Sequence, residues 1–383
     1  TENLYTPSAI GIDGYLHTRR RIKEQFANFS DKFRSKMEDF VKDPKQMIFT
    51  EDLKNMVHMA EPTDIQLVLD MVKKFNTQKT EFRFGSFVFG PVVMRMFYFL
   101  EAPNEALQCF KDPDNKGFFD QLVSYQILLD LLYNQERYDD MYEIFEVVKE
   151  RQINMTKYPK YPVILILAAC YKQNTSSSYE YAKKLWTEMA DAGSSPLRRA
   201  CTFMAGLALK QGDPKVALET VALHSPHYIT IRNIRAIALA QIGRVEETLP
   251  ILKNVIDIDV PNNNERHTFF SETIDTLRSA VVELNNKDIE KEFETIVKAL
   301  KERTLIDDQL FGTLPVINAV KDTQCDVSTQ RQVIQPFTEH WVLDISSCSA
   351  LHAVKWIEQI LGCARPEMTA ILHVWPDLRF VER

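Results

Sequence analysis

At 383 residues the chain exceeds what one compact core usually supports, so it divides into domains or extends as a repeat. Only 11 residues are glycine, and neither G-x-G-x-x-G nor G-x-x-x-x-G-K-[ST] occurs. That argues against the Gly-rich phosphate loops of nucleotide-dependent enzymes and suits long helices. The net charge of −7 excludes a chain-wide attraction for polyanions, so a nucleic-acid surface would have to be a local basic stripe.

No apolar run reaches the roughly 18–20 residues of a membrane span; the strongest, Tyr161 to Tyr171, is about half that length and reads as a buried helix. The stretch His17 to Lys36 carries Arg19, Arg20, Arg21, Lys23, Lys32 and Arg34, but also Glu24 and Asp31. A transit peptide is poor in acids, so none is visible in this stretch. The stretch predicts an exposed basic helix within an N-terminal extension, residues 1–45.

Phe49 to Gln78 holds two amphipathic helices with a turn at Ala60-Glu61-Pro62. Phe82, Phe84, Phe87 and Phe89 then alternate ahead of Gly90-Pro91, a spacing that suits packing under a loop better than stacking on bases. From Phe87 an apolar helix runs through Val92, Val93, Met96 and Phe97, breaks at Glu101-Ala102-Pro103, and is followed by a second helix through Ala106, Leu107 and Phe110. The same plan recurs 35 residues later: Tyr125, Leu128, Leu129 and Leu132, a turn at Asn134 to Arg137, then Met141, Ile144, Phe145 and Val148. Apolar spacings of three and four mark amphipathic helices. Pairs of this kind close a continuous core only by stacking on their neighbours.

A third unit begins near Lys160, with extra residues at Thr175 to Ser178, and ends at Gly193. Two more turn at Lys210-Gln211-Gly212-Asp213 and Gln241-Ile242-Gly243-Arg244, and Phe270 to Leu300 holds a final pair broken at Asn285-Asn286. About seven pairs result. The expected fold is all-α, a right-handed α-solenoid of helix–turn–helix repeats over residues 46–320. Residues 321–383 change character: a strand at His340 to Ser346, a helix at Ser349 to Leu361 and a broken strand at Ala370 to Phe380 suggest a small mixed α/β segment. An appended βαβ unit, a cap on the last repeat and a segment alien to the solenoid all remain open.

The Ser124-Tyr125-Gln126-Ile127-Leu128-Leu129 opening, the Tyr133-Asn-Gln-Glu-Arg137 turn, and Ile144-Phe145 with Lys149 resemble a pentatricopeptide repeat. The Ala182-Lys-Lys-Leu-Trp-Thr-Glu-Met189 helix and the Lys210-Gln-Gly-Asp213 turn are similar to the same family. Phe89-Gly90-Pro91, Lys116-Gly117-Phe118-Phe119, and Cys170-Tyr171-Lys172 with Arg198-Arg199-Ala200 narrow the resemblance to an animal mitochondrial member. It spans residues 45–320. The resemblance implies single-stranded RNA as ligand, the mitochondrial matrix as compartment, mitochondrial transcripts as targets, and a part in messenger RNA processing, maturation or stability. Processing or ribosome-associated proteins are the partners it implies.

In such repeats the first helices line the binding face, and two or three side chains read each base. Carried over, the reading positions are Gln126 and Thr156 in the clearest unit and Thr202 and Asn233 in later ones. Pro91 with Gln121, and Ile164 with Leu197, fill the same positions in other units. Pro91, Ile164 and Leu197 have no side-chain hydrogen-bonding group, so base-by-base reading departs from the family pattern. Lys172 and Lys210 end first helices where the family presents a lysine to phosphate, and Arg199 and Arg232 add charge on first helices. Leu197 to Lys253 holds eight basic residues against four acids, whereas Asp120 to Thr156 holds three against eight. Four of these eight acids, Asp139, Asp140, Glu143 and Glu146, cluster on a second helix, which predicts an acidic outer surface.

The six cysteines show no C-x-x-C and no framework spacing, so they read as buried or free thiols. His224-Ser-Pro-His227 is the one close histidine pair, and no cysteine or carboxylate cluster beside it completes a zinc site. No catalytic residue and no cofactor are assigned. The alternative to RNA binding is a protein-interaction scaffold without direct RNA contact, which the acidic outer helices also suit.

Overall fold

The computed structural model describes residues 4–78, 87–222, 224, 228–257 and 268–307, all within the unit Thr1–Gln330. The mixed segment expected at 321–383, Phe82, Phe84, His227 and three of the cysteines (Cys325, Cys348 and Cys363) lie outside the described residues.

Among the described residues the chain forms eight consecutive helix pairs. They are α1 (Ile12–Gln25) with α2 (Ser30–Lys42), α3 (Thr50–Met59) with α4 (Ile65–Thr77), and α5 (Gly90–Phe99) with α6 (Pro103–Lys111). Next come α7 (Leu122–Asn134) with α8 (Tyr138–Arg151), α9 (Lys160–Gln173) with α10 (Ser176–Asp191), and α11 (Arg198–Lys210) with α12 (Pro214–Ala222). The last are α13 (Ile229–Gln241) with α14 (Thr248–Asp257), and α15 (Ser271–Leu284) with α16 (Lys287–Glu302). Two short strands, β1 (Phe269–Phe270) and β2 (Ile306–Asp307), pair in parallel, with Phe269 opposite Ile306. The molecule is an all-α helical-repeat solenoid.

First helices stack on first helices from α3 through α15, and α1 packs on both α3 and α5. The packing explains why the run from Tyr161 to Tyr171 is so apolar, and it buries α11 as deeply. Each residue from Pro162 to Tyr171, and each from Arg199 to Leu209, is buried. One apolar core runs from Leu4 to Phe270, and a second joins α13 to α16. Helix α13 seals both, presenting Ile234 and Ile237 to the first and Ala236 and Ala240 to the second.

The turn inside four of the eight pairs has one construction. The backbone N–H of Ala102 donates to the Phe97 carbonyl at 3.0 Å, that of Arg137 to Leu132 at 2.9 Å, that of Asp213 to Ala208 at 2.8 Å and that of Arg244 to Leu239 at 2.9 Å. Such six-to-one bonds close a helix over a left-handed residue. That residue is Gly212 (φ 75°) or Gly243 (φ 79°) in two units, but Glu101 (φ 50°) and Glu136 (φ 57°) in the other two. A side chain in this conformation costs about 1–2 kcal/mol. Glu136→Gly should therefore stabilise the fold by about 0.5–1 kcal/mol after the added chain entropy of glycine is offset. Thermal unfolding reads the change, and a lower midpoint would contradict it. In the third unit Asn174 takes the left-handed position (φ 47°), and Thr175 and Ser178 cap α10 reciprocally.

The N-terminal stretch differs from the expected exposed extension. Ile12, Tyr15, Arg19 and Ile22 are buried. Arg19 donates from Nη1 to the carbonyls of His58 (2.8 Å) and Ala60 (2.6 Å) and pairs through Nη2 with Glu61 at 2.9 Å. The carbonyls at the end of α3 satisfy the guanidinium, so a basic helix becomes the first layer of the stack. Arg34 on α2 likewise pairs with Asp64 at 3.0 Å.

Candidate nucleic-acid interface

The eight residues read from the sequence fall into three groups. Lys172 and Lys210 are exposed at the ends of α9 and α11, where a cation complements the helix dipole. The Lys210 ammonium lies 3.7 Å from the centroid of the Tyr171 ring, within cation–π range. Tyr171 immediately precedes Lys172, so Lys210 packs on the last turn of the helix that Lys172 ends. Desolvation draws the Lys210 pKa down while Glu272 on α15 acts in the opposite direction.

Gln126 on α7 and Thr156 after α8 are half-buried. Thr156 closes a strained connection: Gln152 (φ 43°), Asn154 (φ 55°) and Met155 (φ 58°) are left-handed, and Met155 is 97% exposed. The Thr156 hydroxyl donates to the Asn154 carbonyl at 3.2 Å.

Arg199, Thr202, Arg232 and Asn233 are buried. Thr202 donates its hydroxyl to the Arg198 carbonyl at 3.1 Å, within its own helix. Asn233 is fully buried: its Nδ2 donates to Ile229 O at 2.8 Å, and its Oδ1 accepts from the Phe270 N–H at 3.0 Å. It ties α13 to β1 and turns no polar group to solvent. Arg232 stands 5.7 Å from the Phe269 ring, and desolvation pushes its pKa down to about 10. Arg199 lies 5.0 Å from the Tyr5 ring, and its Nε and Nη2 make no hydrogen bond among the described residues.

Several polar groups of the inner helices escape a reading by repeat position. Asp130 on α7 is fully buried, accepting from Tyr98 Oη at 3.1 Å and Asn134 Nδ2 at 3.4 Å. Burial pushes its carboxyl up to about 7. Its sequence signal is an acid inside the apolar run Ile127 to Tyr133. The Cys201 thiol lies 3.0 Å from His224 Nε2, but burial pushes the thiol up to about 12, so it is not an activated thiolate. Cys109, Cys170 and Cys201 are free and buried. Among the described residues there is no group of three metal-ligating side chains, and no helix is long and apolar enough to cross a membrane.

The acids of α8 join a ladder of ion pairs along the second helices. Lys111 pairs with Glu143 at 2.8 Å, and Lys149 pairs with Glu146 at 2.9 Å and Glu188 at 3.4 Å. Tyr181 donates to Glu146 at 3.1 Å. Arg235, by contrast, is exposed on first helix α13.

Stacked helix pairs, with first helices as the continuous layer, define a helical-repeat protein. Its curated relatives share one name, "Pentatricopeptide repeat-containing protein 2, mitochondrial". The chain is 30% identical to the protein of that name from Danio rerio over 239 residues, 61% of each chain. It is 26% identical to the Mus musculus protein over 277 residues, 72% of each. With the Homo sapiens protein it shares 25% over 283 residues, 73% of this chain and 68% of that one. No family model matches the chain. The match spans less than two thirds of the Danio rerio protein's length.

Proposed function

We propose that the protein is a non-catalytic RNA-binding repeat protein that acts in mitochondria, in the processing, maturation or stability of messenger RNA. The relatives' shared name supports the repeat class and the compartment. The observation that carries RNA binding is the pair of exposed lysines, Lys172 and Lys210, ending successive first helices, with Lys210 held on the Tyr171 ring. Exposed cations at the ends of successive first helices can contact a single strand's phosphates, giving affinity without sequence information.

A protein-interaction scaffold is the second reading. It is favoured by α9 and α11, against which the chain's own Tyr5 packs, fully buried.

Exposed residues make the cleaner test, because Glu at buried Arg199 or Arg232 would unfold the chain. Lys172→Glu with Lys210→Glu should weaken RNA binding at least tenfold and keep the helical circular dichroism. Loss of two phosphate contacts lowers the slope of log K against log salt by about 1.4 on a single strand. Crosslinking in organelles and sequencing of bound RNA completes the test. Partner subunits recovered without RNA would favour the scaffold.

A further inference from the structure

The segment ahead of α1 crosses the inner helices as a strap. Leu4 and Tyr5 are fully buried, and Ile10 is 2% exposed. Between these anchors Pro7 and Ser8 are exposed in a turn, with Ala9 N–H donating to Thr6 O at 2.9 Å and Ile12 N–H to Pro7 O at 2.8 Å. The Tyr5 ring meets Tyr161 of α9 edge-on at 6.4 Å and sits beneath the Arg199 guanidinium of α11. At the other anchor Arg95 of α5 donates from Nε to the Ile10 carbonyl at 2.8 Å. Gly11 follows at φ 74°, where a Cβ would come within 2.9 Å of the Arg95 guanidinium. A short stretch thus bridges tiers from α5 to α11 on two small footholds.

What it covers is poorly served by the cover. A buried guanidinium ordinarily holds a carboxylate or carbonyls. Arg199 has an aromatic ring and two unpaired donors, Nε and Nη2, at 8% exposure. The acid whose field reaches it, Asp130, makes no ion pair with it among the described residues, and burial pushes its carboxyl up to about 7. Planar donors of this kind match a phosphate oxygen pair. Lys172 and Lys210, at the ends of the same two helices, offer the next cations along the tier.

We propose that Leu4 to Ile10 is a detachable strap over the inner face of α9 and α11, and that single-stranded RNA displaces it to set a phosphate on Arg199. This rests on the RNA-binding reading and adds how that surface is gated. A binding site covered in most molecules loses apparent affinity in proportion to the open fraction. If the covered form holds about nine tenths of the population, freeing the strap tightens RNA binding about tenfold.

The full chain and its Leu4→Ser, Tyr5→Ser variant are titrated with a fluorescent 20-nucleotide RNA of random sequence, and Arg199 is probed with phenylglyoxal and mass spectrometry. The expected results are about tenfold tighter RNA binding by the variant, Arg199 labelling that rises in the free variant and is blocked by RNA, and cancellation of the gain by Arg199→Met. In the unaltered chain, RNA should speed hydrogen exchange in residues 4–12, a measurement that does not need the variant to fold. Labelling unchanged in a folded variant, or exchange in residues 4–12 that RNA leaves alone, overturns the strap. Labelling that rises with RNA affinity unaltered overturns the competition but leaves the lysine surface standing. Arg199 exposed in the variant, with neither protein retaining RNA, overturns the RNA-binding reading itself.

Discussion

Asp130→Asn should stabilise the fold at pH 8 by about 2–4 kcal/mol and leave it nearly unchanged at pH 4. The carboxyl is fully buried and burial lifts it from the ordinary value near 3.8 to about 7. Arg199 and the hydrogen bonds from Tyr98 and Asn134 act the other way and do not overcome desolvation. Because the folded value lies above the unfolded one, the folded state binds the proton more tightly. The associated stability is complete below about pH 4 and is lost as pH rises through 7. The rise from 3.8 to about 7 corresponds to about 4 kcal/mol as an upper bound. Asparagine is neutral throughout and its carbonyl can still accept from Tyr98. Thermal unfolding of both proteins from pH 4 to 8 is the measurement, and carboxylates held low, such as Glu61 and Glu188, cancel in the difference. Equal midpoint shifts at both ends of the range would mean that Asp130 titrates normally.

The same residue illustrates why the solenoid was legible and its inner face was not. Period and turns follow from local chemistry: the bond closing α5 and the one closing α7 lie 35 residues apart, at Ala102 and Arg137, and the breaks between the apolar stretches mark both. The eighth pair was hidden because Arg19 and Arg34 look solvated in the sequence and are buried only by groups on later helices, Glu61 and Asp64. For the interface the difficulty is deeper. Repeat position places Thr202 and Asn233 on a reading face, but when a helix is apolar on all sides nothing local says which side is left open. Asn233 is consumed by the Phe270 N–H, 37 residues away, and Arg199 by Tyr5 from the far end of the chain. The exposed lysines were legible because they sit at helix ends, where position alone fixes exposure.

Gly90→Ala should cost about 2–3 kcal/mol, the largest loss expected from adding one methyl group to this fold. Gly90 opens α5 against the entry to α7. A Cβ there would overlap Gln121 Oε1 and stand 2.7 Å from both the Phe118 carbonyl oxygen and Ser124 Oγ. Gln121 could swing aside, but its Nε2 donates to the Phe118 carbonyl at 3.2 Å and its Oε1 accepts from Ser124 Oγ at 2.8 Å, so moving it breaks both bonds. The Phe118 carbonyl is backbone and yields only if the tier shifts. Overpacking of this kind costs about 1–3 kcal/mol, and the broken hydrogen bonds add to it. The helix propensity of alanine returns less than about 1 kcal/mol at a first helical position. The matching control is Gly14→Ala in α1, where no atom lies within 4 Å of the added Cβ; there propensity acts alone, and stability should rise by about 0.5–1 kcal/mol. Urea unfolding of the two variants should move in opposite directions from the parent. Because α5 carries Arg95, the foothold of Ile10, a shifted tier in Gly90→Ala should also loosen the strap, seen as faster hydrogen exchange at residues 4–12 before global unfolding. A variant as stable as the parent would mean that α5 and α7 do not approach this closely in solution.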